Sequence, residues 1–224
     1  MPHPRVPDWI REFVPPSGWT NVFALVPTNE HLYATETLFG DWNGQTLLLA
    51  KDAAPTGVIR ALRDKGDPRP WRHAQRELGD PAGWRTNQTL AALASALPCR
   101  ELYGSATANL LFDDPRWSRS LPGFGSGPLH AYLQRVLAWV VGSMPNLDTI
   151  ACLGEEAWFL TNTTLGKFDV ASQFARHRDE CIASIGDCAG KKIVAFALYH
   201  PAARVSNSAK ERGWSALIES VSWR

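Results

Sequence analysis

The chain has 224 residues, 45% of them apolar and 20% charged, with a formal net charge of +1. That length supports one sizeable core or at most two small ones. The near-neutral balance excludes a protein drawn as a whole to nucleic acid, and no apolar stretch reaches membrane-spanning length.

Residues 1–40 read as an irregular N-terminal wrap, richest in proline and tryptophan over the first twenty. Leu47-Leu48-Leu49-Ala50 is a short apolar strand that ends at Lys51-Asp52-Ala53-Ala54-Pro55. Val58 to Asp64 reads as a brief helix. Gly66 to Arg85, with its prolines, its charges, Trp71 and Trp84, reads as a long surface loop, a length more often functional than idle. Thr86-Asn87 can cap a helix that runs through Leu90 and Leu93 to about Leu97.

Ser105 to Leu111 is a second strand with Asn109 near its end. Gly123 to Pro128 leads into the strongest helix, where Leu129, Tyr132, Leu133, Val136, Leu137 and Val140 recur at helical spacing and Pro128 suits the first position. Thr149 to Gly154 is a third strand, followed by a helix from Glu155. Phe168 to Ile185 reads as helix, Ile193 to Tyr199 as a fourth strand, and Gly213 to Val221 as a closing helix. Strands alternating with helices predict a single α/β domain over residues 1–224, a three-layer α/β/α sandwich around a short, mostly parallel four-stranded sheet.

Three positions near strand ends carry chemistry. Asp52 follows the first strand, where a carboxylate can orient or deprotonate a water, although an aspartate there also caps a turn. Asn109 ends an apolar strand, where an amide is costly to bury without partners. Its donors and acceptor match the N3–H and O4 of uracil and mismatch cytosine, and they equally suit tying down a loop. His200 stands just past the run Val194-Ala195-Phe196-Ala197-Leu198-Tyr199, at a carboxyl end where open α/β sheets bind ligands. Pro201 fixes the turn after it.

The loop beyond is basic. Residues 191–224 carry six lysines and arginines against two glutamates, net +4, and the rest of the chain sums to −3. A basic segment in a neutral protein fits a small nucleic-acid footprint, or a solvated surface with chance clustering. Cys99, Cys152, Cys181 and Cys188 form no CxxC pair and have no histidines at zinc spacing, so no metal is expected. Cys152, inside a strand pattern, reads as a buried thiol. With no apolar leader at the N-terminus, the chain is expected to be a soluble cytoplasmic protein with reduced cysteines.

Taken in order, Lys51-Asp52-Ala53-Ala54-Pro55 after the first strand, Asn109 after the second and His200-Pro201-Ala202-Ala203-Arg204 after the last resemble the motif set of the uracil-DNA glycosylase superfamily. The first is similar to the GQDPY and GEAPG forms, with one extra alanine and lysine in place of glycine. The last, continuing to Lys210 and Gly213-Trp214, resembles the HPSPRN and KGW of the single-strand-selective class. Ile150 to Gly154 with Glu155-Glu156-Ala157 resembles the superfamily's strand-Gly-x-x-Ala segment. The resemblance spans about residues 45–215.

It implies a DNA repair glycosylase that flips uracil out of DNA, breaks its N-glycosidic bond and leaves an abasic site, acting as a monomer without cofactor. Asp52 and His200 would be catalytic. Asn109, Ala53 and a stacking tryptophan, Trp84 before Trp71, would hold the base. Pro55, Pro201, Arg204, Ser206 and Lys210 would contact DNA. Thr56 stands where the classical class has the tyrosine that blocks thymine, which leaves open a related glycosylase for hypoxanthine or mispaired thymine. A non-catalytic module that binds damaged or abasic DNA is the other alternative.

Overall fold

The computed structural model describes residues 3–33, 40–51, 64, 66, 85–112, 121–201 and 203–222, with 85–87 as backbone alone. In chain order these form α1 (Asp8–Arg11), β1 (Trp19–Asn21), α2 (Val22–Leu25), β2 (Thr46–Ala50), α3 (Arg85–Ala94), β3 (Glu101–Ser105), β4 (Leu110–Phe112) and α4 (Gly127–Ser143). Then follow β5 (Thr149–Leu153), α5 (Glu155–Thr164), α6 (Phe168–Ala171), α7 (Phe174–Asp179), β6 (Ser184–Cys188), β7 (Lys191–Leu198) and α8 (Asn207–Ser222).

The apolar runs become a sheet of order β3-β2-β5-β7-β6. Its first four strands are parallel, and β6 pairs antiparallel with β7. Such strands are apolar throughout because both of their faces are covered. Leu47, Leu49, Ile150, Cys152, Ile193, Ala195 and Ala197 join one buried cluster, while Leu48, Ala50, Ala151, Leu153, Val194, Phe196 and Leu198 join another. The first face is covered by the N-terminal segment, α4 and α5, the second by α3 and α8. This is the expected three-layer α/β/α arrangement. Helix α4 buries all six residues of its predicted stripe, each contributing about 1.5–3 kcal/mol of apolar transfer. On the other face Gly213 lets α8 approach closely, since a Cβ there would sit 3.0 Å from a methyl of Leu198.

Four expectations need correction. The sheet has five strands instead of four, because Ser184–Cys188 is a strand. The helix expected over Phe168–Ile185 is two short helices, and the second ends at Asp179, two residues before Cys181, which takes a left-handed φ of 54°. The amide of Ile182 then closes back on the carbonyl of His177, the long-range bond of a Schellman stop. Glycine is the usual residue at such a stop, and a cysteine hides it. The same holds for the two-residue turn between β6 and β7, where Ala189 (φ 50°) precedes Gly190 (φ 75°) in place of the usual Asn-Gly.

The strand expected over Ser105–Leu111 ends at Ser105, and a tight turn through Ala108 (φ 51°) separates it from β4, which pairs with β1. The N-terminal wrap contains α1, β1 and α2, and buries Val6, Ile10, Trp19, Phe23 and Tyr33 among others. The expected helix over Val58–Asp64 and the loop over Gly66–Arg85 lie almost wholly outside the described residues.

Candidate functional site

The four parallel strands end level. Ala50 pairs with Ser105 on one side and Leu153 on the other, and Leu153 pairs with Leu198. Lys51, Ala106, Gly154 and Tyr199 therefore leave the sheet along one edge, with the outer two strand ends about 14 Å apart at the usual spacing. Between β2 and β5 the winding reverses direction, the switch point at which open α/β sheets form their binding crevice. An ion pair spans this point, with Lys51 Nζ 2.6 Å from Glu156 Oε1. Gly154, at φ 127°, turns the chain from β5 into α5 and brings Glu156 there. Sequence reasoning noted both residues and missed the pair, whose members lie far apart in the chain.

His200 is half-buried just past β7. The chain on either side of it is tethered. Tyr199 donates its hydroxyl to Asp179 Oδ1 at 3.0 Å, and the Arg178 guanidinium lies 4.3 Å from the centre of the Tyr199 ring. Downstream, the amide of Ala203 bonds the His200 carbonyl at 2.8 Å, and Lys210 Nζ reaches from α8 to the buried Pro201 carbonyl at 2.7 Å. Burial, and then the charge of Lys210, lower the pKa of His200 below the ordinary imidazole value of 6.5. The imidazole is neutral at pH 7 and can donate one hydrogen bond without carrying charge.

The loop residues expected on DNA divide by role. Ser206 is exposed, and its hydroxyl accepts the amide of Ala209 at 3.3 Å at the start of α8. Arg204 is exposed. Lys210 holds the loop and still has two N–H groups for other acceptors.

Asn109 lies in the turn after β3 and is 1% exposed. Its Nδ2 donates to Asn21 Oδ1 at 3.0 Å and to the Ile10 carbonyl at 3.4 Å, and its Oδ1 accepts the Tyr132 hydroxyl at 2.7 Å. The backbone carbonyl of Asn109 accepts the amide of Val22. The side chain thus ties the turn to the N-terminal segment and to α4. Three of its four hydrogen-bonding positions are engaged, so the amide does not offer a donor and an acceptor together.

Asp52, Ala53, Pro55, Thr56, Trp71 and Trp84 lie outside the described residues. Asp52 is the next residue in the chain after Lys51, and Trp84 directly precedes α3. A groove of about 480 Å³ runs between Cys181 and α8, lined by Ser208, Glu211, Arg212 and Glu219 among others, and none of the expected site residues lines it. Cys152 is buried as expected, and burial pushes its thiol up to about 12. Among the described residues no cluster of three or more histidine, cysteine or acidic side chains could hold a metal ion, and no helix is long and apolar enough to cross a membrane. Comparison with protein-family models and with curated proteins finds no match.

Proposed function

We propose that the protein is a DNA glycosylase that hydrolyses the N-glycosidic bond of uracil in DNA and leaves an abasic site. One observation carries the reading. Four parallel strands end in a single row beside the β2/β5 switch point, and the segments that continue into Asp52, Asn109 and His200 all leave from that row. A carboxylate, an amide and a neutral imidazole brought together beyond such an edge would form a set suited to this hydrolysis.

The base cannot react inside the stack, so it is flipped out at a cost of about a few kcal/mol, least in a single strand. Trp84 stacks on it beside Ala53, a contact worth roughly 1–3 kcal/mol, and Asn109 reads its edge. Arg204 enters the gap left behind, while Pro55, Pro201, Ser206 and Lys210 face the backbone. As the bond from C1′ to N1 breaks, its electron pair stays with the base and appears largely at O2, and the sugar becomes cationic. Neutral His200 donates a hydrogen bond to O2, an interaction that strengthens only as charge develops there. Asp52 orients a water toward C1′, takes its proton as the new C–O bond forms and stabilises the sugar cation. The departing base later takes a proton from solvent.

The test is base release from single- and double-stranded oligonucleotides carrying uracil. The expected result is abasic product from wild type, with the rate for Asp52→Asn reduced by orders of magnitude and its DNA binding kept. Tight binding to damaged or abasic DNA with no release would make the protein a non-catalytic recognition module instead.

A further inference from the structure

Tyr199 and His200 are neighbours in the chain that answer to opposite layers of the fold. Side chains alternate along a strand, so Phe196 and Leu198 pack with α8 while Ala195 and Ala197 face the layer of α4 and α5. Tyr199 continues the second set and meets α7. His200 turns back to the α8 side, where the charge of Lys210 acts on it. Whatever fixes Tyr199 therefore fixes the direction from which the His200 imidazole leaves the chain.

Tyr199 is fixed from the end of α7. Arg178 donates to both oxygens of Asp179, from Nε to Oδ1 at 2.9 Å and from Nη2 to Oδ2 at 3.0 Å, a fork that holds the carboxylate in one plane. Asp179 Oδ1 accepts the Tyr199 hydroxyl at 3.0 Å, and the same guanidinium lies 4.3 Å from the centre of the Tyr199 ring and 5.2 Å from that of Phe174. The tyrosine is thus gripped at its tip and on one face. The grip is itself anchored, because the preceding His177 is buried against Trp158 and its Nδ1 pairs with the Ile182 carbonyl at 2.9 Å. Hydrogen bonds from Arg178, and then from Tyr199, hold the Asp179 carboxyl below the ordinary carboxylate range, so it remains an acceptor at neutral pH.

Asp179 is exposed, and Arg178 and Tyr199 are half-buried. Ion pairs so placed add little to stability. A network strict in geometry and weak in folding suits the aiming of a neighbour. We propose that Arg178, Asp179 and Tyr199 are positioning residues for His200, a clamp that directs the imidazole toward the departing base and contributes little to holding the protein together. The inference rests on the hydrolytic reading above and adds residues to that site. Donation to the charge developing at O2 depends on distance and angle, and a misplacement of about 1 Å can cost about a hundredfold in rate.

The experiment compares Tyr199→Phe, which keeps the ring and loses the hydroxyl, with Asp179→Ala and with the double variant. Glu180→Gln is the control, since it opens the exposed Arg176–Glu180 pair beside the clamp without touching it. Each protein is read for kcat and KM of uracil release from a single-stranded oligonucleotide, for its urea midpoint, and for the mobility of the His200 ring by NMR relaxation without DNA. The expected result is kcat lowered about tenfold in Tyr199→Phe and Asp179→Ala, with KM and urea midpoint unchanged and a more mobile ring in both. The double variant should lose no more than Asp179→Ala alone, because both changes remove the same bond. Glu180→Gln should match wild type. Wild-type kcat with an unaltered ring in both variants, or a loss of kcat that tracks a lowered urea midpoint, overturns the inference. If no protein releases uracil, wild type included, a ring loosened by the same two variants keeps the clamp and removes the hydrolytic reading, whereas an unaltered ring removes both.

Discussion

The turn after β3 and the loop after β7 leave the same edge of the sheet, yet they use their polar groups in opposite ways. In the turn, Asn109 is buried and engages Asn21, Ile10 and Tyr132, so its amide holds the N-terminal segment on the core. In the loop, the tethers attach to the backbone and to Tyr199, while Arg204 and Ser206 remain exposed. The turn is determined by internal satisfaction of buried polar groups and tolerates little change. The loop is held at a few points between which side chains face solvent. Rigidity along this edge of the sheet thus comes from two sources, and substitution separates them.

The largest effect falls on the turn. Asn109→Ala leaves the Tyr132 hydroxyl without its acceptor in the interior, while Asn21 Oδ1 keeps the Phe23 amide, and should cost about 1–3 kcal/mol by urea denaturation, the cost of one orphaned buried group. A loss below about 1 kcal/mol would show that the turn is not held through this amide.

Acid titration separates the regions by pH. Burial holds His200, at the loop, and His130, in the core, below the ordinary imidazole pKa of 6.5. A group with a lowered folded pKa binds its proton more readily in the unfolded chain. Its contribution to stability is therefore complete above about pH 6.5 and is lost as pH falls from there toward the folded value, by at most about 1.4 kcal/mol per pH unit for each group. The urea midpoint should drop below about pH 6.5, and His200→Gln should make that drop shallower. An unchanged profile in the variant would mean that His200 has the same pKa folded and unfolded.

Smaller effects follow on the loop. Lys210→Met releases the Pro201 carbonyl and removes the charge that depresses His200, so the imidazole pKa, read by NMR titration, should rise. Stability should change by no more than about 1 kcal/mol, as for one partly exposed hydrogen bond. Arg204→Ala should leave the urea midpoint unchanged and lower the salt dependence of DNA binding by about one counterion, and an equal slope would take Arg204 off the nucleic acid. At the far end of the sheet, Ala189→Gly should add about 0.5–1 kcal/mol by relieving the left-handed backbone of the β6–β7 turn.

Much of the scaffold was legible in the residues. Leu47–Ala50 and Ile193–Tyr199 announce strands because continuous apolar runs suit a sheet covered on both faces, and the stripe from Leu129 to Val140 announces α4 because six apolar side chains recur at helical spacing. The misses share a cause. Cys181, Ala189 and Ala108 adopt left-handed backbone without being glycine, so the end of α7 and the end of β3 carried no local punctuation and the β6–β7 turn was marked by Gly190 alone. Tertiary contacts held those residues where propensity alone would not.

The candidate site divides in the same manner. A short apolar run with a histidine or an acidic turn at its end suffices to say that His200 and Asp52 follow strands, and periodicity suffices for the layered class, because both depend on neighbours in the chain. Which strands lie side by side, that their ends are level, that Lys51 meets Glu156, and that Asn21 and Tyr132 converge on Asn109 were decided only by folding. Those pairings join residues far apart in sequence, and their geometry depends on register and packing that no local pattern encodes.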